Sequence, residues 1–177
     1  MSILTFLGLG SQPEQLSSPA QSDAVRAIVD ALDRIEEERA HFIASFGYIL
    51  GRVANADQDI SAEETKVMQR ILVTEGQLSL DQAAVVVKMA GMRNELFGGT
   101  DNFLVTREFR RIATRDQKLA LLDCLFAVSA ATEDISMVEN SQVRQIAGEV
   151  GLEHSDFIQV RLSWKDRLSV LKKDPRG

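Results

Sequence analysis

Three observations predict an all-α fold. Apolar residues recur at three- and four-residue spacing from about residue 22 onward. No stretch alternates like a strand between hairpin turns. One helix–acidic turn–helix phrase is also written twice: Ala56-Asp57-Gln58-Asp59-Ile60-Ser61-Ala62-Glu63-Glu64 returns 75 residues later as Ala131-Thr132-Glu133-Asp134-Ile135-Ser136-Met137-Val138-Glu139. Over the 27 positions 50–76, nine residues match their counterparts at 125–151: Leu50, Val53, Ala56, Asp59, Ile60, Ser61, Glu64, Ile71 and Gly76. The expected architecture is a bundle of about seven or eight helices built from two pseudo-symmetric repeats.

The elements follow in order. Residues 1–22 read as a flexible arm, because 8–22 is rich in Ser, Gln, Gly and Pro. Ile3, Leu4, Phe6 and Leu7 within it are expected to dock on the domain, with docking on a partner as the alternative. Ser22 or Asp23 caps a first helix with Val25, Ile28, Val29, Leu32 and Ile35 on one face, and the charged run 34–39 is its solvated end. Phe42, Ile43, Phe46, Ile49, Leu50 and Val53 define a central helix, apolar over much of its circumference. Gly47 lies inside it, and a helical glycine costs about 1 kcal/mol relative to alanine. Close approach of a neighbouring helix is the expected compensation.

Beyond the first acidic turn, Val67, Met68, Ile71 and Leu72 share a face on a helix ending near Gly76. Ser79 or Asp81 caps the next, with Ala84, Val85, Val87 and Met89 inside and an end at Gly91. A loop at 93–100 joins the two halves. Asp101 caps a helix bearing Phe103, Leu104, Phe109 and Ile112, and a strongly apolar helix spans about 115–131. After the second acidic turn, a helix with Val143, Ile146 and Val150 stops at Gly151. The last helix holds Phe157, Ile158, Leu162, Trp164 and Leu168, so the domain covers 23–172 and 173–177 form a disordered tail.

Composition narrows the function. A net charge of -6 and a pI near 5.0 argue against a surface that tracks nucleic-acid phosphates. The basic cluster Arg107, Arg110, Arg111, Arg115 and Lys118 is interrupted by Glu108 and Asp116 and reads as a solvated helical face. A single cysteine, Cys124, excludes an intrachain disulfide and reads as a small buried thiol. Residues 1–10 lack the basic start and cleavage site of a signal peptide, and no run reaches the length of a membrane span, so a cytoplasmic location is expected. His41 and His154 lack zinc-pair spacing, and His41 is expected in an exposed or helix-end role. Phosphate-cradling, dinucleotide-binding and nucleophile-elbow motifs are missing from the sequence, so no catalytic residue is assigned.

The acidic turns carry the most chemistry. Ser61 to Glu64 and Ser136 to Glu139 each spell a capping box, in which the serine oxygen accepts from the N3 amide and the glutamate reaches back to the serine amide. Ile60 and Ile135 stand where a hydrophobic-staple residue belongs. Capping leaves Asp57 and Asp59 unexplained. With Ser61 and Glu64 they gather three carboxylates and a hydroxyl into one turn, as a hard cation prefers. The ladder is not an EF-hand loop, since Ala62 replaces its glycine and Met68 its bidentate glutamate. In the second turn Thr132 takes the first aspartate's place, leaving Asp134 and Glu139 as the matching carboxylates.

These residues, with the apolar helix before them and the helix ending at Gly76 after them, resemble the TerB domain family over roughly 39–168. The family is named for tellurite resistance, and a similar region begins the membrane-anchored DjlA co-chaperones. Gln58 and Glu133 depart from the glycine of its signature, and in the second copy Thr132 replaces its aspartate. The resemblance implies a helical bundle and a divalent cation, calcium favoured, held by Asp57, Asp59 and Glu64 and by Asp134 and Glu139. It also implies a role in tellurite resistance or stress response. Without a His-Pro-Asp triplet, direct stimulation of an Hsp70 is not expected. The alternative is a non-catalytic interaction domain, its acidic turns helix caps only, recruiting a protein partner or a second copy of itself.

Overall fold

The computed structural model describes residues 19–54, 62–92, 102–132 and 134–168, and at 19–22, 63, 64, 102, 103 and 132 the backbone alone. These contain eight α-helices: α1 Pro19–Asp33, α2 Glu37–Val53, α3 Ala62–Thr74, α4 Leu80–Gly91, α5 Asn102–Ile112, α6 Arg115–Thr132, α7 Met137–Glu149 and α8 His154–Ser163. A 3-10 turn, Lys165–Arg167, closes the described chain. The all-helical expectation holds among the described residues, where the sole β-type pairing is an isolated parallel bridge between Ile135 and Leu168.

The duplication is visible in the element bounds. Helices α3 and α7 each have 13 residues, and both their first and last residues lie 75 apart. Their exits then differ. After α7, Gly151 takes φ +83°, its N–H donates to Gly148 O, and the Leu152 N–H donates to Ala147 O, a Schellman ending. After α3 the left-handed residue is Gln77 at φ 56°, and the Leu78 N–H reaches Leu72 O. The first copy thus carries one more residue in its exit, and α4 and α8 begin 74 rather than 75 apart.

The two helical pairs clasp each other. Helix α3 packs on α6, α7 on α2, and α2 on α6, while α4 and α8 cover their own repeats and α5 bridges α2 and α7. Helix α2 is the hub. Thirteen of its 17 residues are buried, which places it against helices on most sides. Gly47 explains the close α2–α4 approach: a Cβ there would stand 2.9 Å from Met89 Cβ and 3.4 Å from Val86 O. Phe42, Phe46 and Phe109 form one aromatic cluster, with Phe42 stacked on Phe109 at 5.3 Å between centroids. Phe126 and Phe157 form a second. Arg52 of α2 donates two bonds, 2.6 and 3.2 Å, to the Glu149 carboxylate of α7 and ties one repeat to the other.

Several boundaries correct the sequence reading. Helix α1 starts at Pro19, so Ser22 and Asp23 lie inside it instead of capping it. Proline suits that first position because its fixed φ is helical and its missing N–H is one the helix does not use. The run 34–39 is divided: α1 ends at Asp33, and the Glu36 carboxylate accepts from the Glu38 and Arg39 amides to cap α2. Ser79, not Asp81, caps α4, in a reciprocal box with Gln82. An unread box, Thr114 with Gln117, caps α6. Val67, Leu104 and Leu162 face solvent, while Val86, Val105 and Val160 take core positions. The last helix ends at Ser163, and Trp164 and Leu168 reach the core from the turn beyond it. The loop at 93–100 and Asp101 lie outside the described residues.

Candidate functional site

The second acidic elbow is described in detail. Its serine behaves as the spacing predicts: Ser136 Oγ accepts from the Glu139 amide at 3.2 Å, and the Ser136 N–H donates to Glu139 Oε2 at 2.9 Å. The Ser136 hydroxyl also donates to Glu139 Oε2 at 2.7 Å. Glu139 is therefore engaged as a cap, close to the positive end of α7 where a carboxylate is favoured. Ile135 is buried, but not as a staple. The staple's partner position is Asn140, which is polar, and Ile135 instead donates its N–H to Arg167 O at 2.8 Å beside buried Leu168.

Asp134 faces Arg167, with Nε 3.6 Å from Oδ1. Arg167 Nη2 also donates to the carbonyl of Ala130, two residues before the end of α6. Sequence reasoning missed Arg167, because 33 residues separate it from Asp134 and no motif links them.

Of the first elbow, Asp57, Asp59 and Ser61 lie outside the described residues. Glu64 occupies the first turn of α3, where the backbone alone is described. Among the described residues, no three His, Cys, Asp or Glu side chains converge as a metal-holding group.

Several other titratable groups are paired within the bundle. His41 is buried near the start of α2, which overturns the exposed alternative, and its Nδ1 lies 3.2 Å from Glu108 Oε1. Arg111 donates to both oxygens of Glu108, and this pairing, with His41 contributing, holds the carboxyl down to about 2 against its burial. Arg115 pairs with Asp156, so the basic cluster's Arg111 and Arg115 are both neutralised locally. Burial pushes the Cys124 thiol well up, and its Sγ lies 3.9 Å from Ile71 O, the surroundings of an inert thiol. His154 is exposed beside the Phe157 ring.

A duplicated helical bundle whose second acidic elbow is capped by Ser136 and Glu139 defines a class of small helical modules. The profile of the tellurite resistance protein TerB matches residues 42–162, from the middle of α2 to the end of α8, and the chain belongs to that family. No curated protein and no solved structure matches the chain. No helix among the described residues is long and apolar enough to cross a membrane.

Proposed function

We propose that this TerB-family chain is a non-catalytic cytoplasmic binding module of the tellurite or stress response, and that its first elbow holds one divalent cation, calcium in preference. The observation that carries the reading is the donor set Asp57, Asp59, Ser61 and Glu64, all within eight residues. Carboxylates and a hydroxyl are the oxygen ligands a hard cation takes. Ser61 and Glu64 stand at the positions of Ser136 and Glu139, which cap the second elbow, whereas the capping-box pattern assigns nothing to Asp57. Three negative charges in one turn repel one another, and a cation there removes the repulsion. Binding links the end of α2 to the start of α3 and biases the angle between the hub helix and its partner. That angle is the output a protein partner reads.

Calorimetric titration with calcium, magnesium and zinc tests this. Heat of binding at a stoichiometry of about one is expected, lost in Asp57→Ala plus Asp59→Ala. If no ion gives heat, the elbows are caps alone and the chain is an interaction domain.

A further inference from the structure

The second elbow already contains a cation of its own. Arg167 reaches back from the 3-10 turn to the Asp134 carboxylate and to the Ala130 carbonyl. Its own carbonyl takes the Ile135 N–H. A carboxylate together with a carbonyl from the end of a helix is the ligand set a hard cation would recruit at such a bend. A guanidinium satisfies the same oxygens through a planar fork that stays protonated. It also lies where the negative end of the α6 dipole favours positive charge.

The strap that delivers this group is anchored at both ends. Upstream, Trp164 Nε1 donates to Asp123 Oδ1 at 3.1 Å, and Arg161 Nε donates to Asn140 Oδ1 at 2.9 Å. Downstream, Leu168 is 1% exposed in the bridge to Ile135. Arg167 is thus held in place by packing that does not depend on its charge.

We propose that Arg167 is the resident cation of the second elbow, closing it without metal and confining metal binding to the first. The confinement rests on the cation reading given above; the role of the guanidinium does not.

The test uses the full chain with Asp57→Ala and Asp59→Ala as the parent, so that the first elbow is silent. Adding Arg167→Ala lowers the melting temperature by roughly 2–4 °C, the shift expected for about 1 kcal/mol in a chain of this size. Millimolar guanidinium chloride restores more than half of that loss, and sodium chloride at equal ionic strength does not. Calcium chloride, silent on the parent, raises the melting temperature of the Arg167→Ala chain. Arg167→Lys, which keeps the charge, melts above Arg167→Gln, which does not. Equal melting of the Lys and Gln variants overturns the proposal, as does a loss that neither guanidinium nor calcium repairs. A wild-type chain that binds no calcium refutes the first-elbow reading alone, because guanidinium rescue is read without metal.

Discussion

Glu108 is a half-buried carboxylate kept ionised by its neighbours. Arg111 on its own helix and His41 on α2 both face it, and its folded value lies near 2, below the ordinary 4.5. The unfolded chain therefore binds this proton more tightly than the folded one. The stabilisation is complete above about pH 4.5 and is lost as the pH falls through about 2. In Glu108→Gln, unfolding free energy measured by urea titration should fall less steeply than wild type across that window. Identical slopes would show that the contact carries no linkage. The pair of Glu108 with Arg111 is local in sequence, but the contact with His41 is not, since the two are 67 residues apart and only folding brings them together. His41 follows a charged run, which suggests an exposed or helix-end residue. One of that run's three glutamates, Glu36, starts a new helix, and glutamate is a poor advertisement for a cap.

At the scale of elements, the readable features were those whose chemistry is local. Ser136 and Glu139, three residues apart, form the box their spacing announces, and Gly151 adopts the left-handed conformation that a stop after Val150 requires. Pro19 and the Thr114–Gln117 box carried equally local signals and were not read. Ser136→Ala should destabilise the chain by about 1 kcal/mol in chemical denaturation. The loss should be the same with and without calcium, because Ser136 acts here as a cap. A loss that appears only when calcium is present would make Ser136 a ligand. The choice between inward and outward valines in α3 and α4 was legible only to within a residue or two. Val67, expected on the inner face, is exposed, and Val86, which the periodicity left out, is fully buried.

For the whole molecule, the repeat carried the architecture. Two copies of one sequence phrase gave two 13-residue helices in matched register, each packed on the first helix of the opposite copy. What the phrase could not convey was the asymmetry of the repeats: the extra residue at Gln77, and the arginine that returns to the second elbow. The close approach of α2 and α4 was legible as a glycine inside an apolar helix. Gly47→Ala gains up to about 1 kcal/mol of helix propensity. Against that, the new methyl meets the Met89 Cβ at 2.9 Å, which is too close to the backbone for a rotamer change to relieve. Overpacking typically costs about 1–3 kcal/mol, so a net loss in thermal stability is the expected outcome. A gain would mean that α2 and α4 separate easily.

The proposed difference between the elbows, one taking an ion and its copy none, can be measured residue by residue. Calcium titration of the isotopically labelled chain, followed amide by amide in nitrogen–proton correlation spectra, separates the two directly. Saturable shifts at 56–64, with 133–139 unmoved, are predicted. No shift at the first elbow, or equal shifts at both, would contradict it.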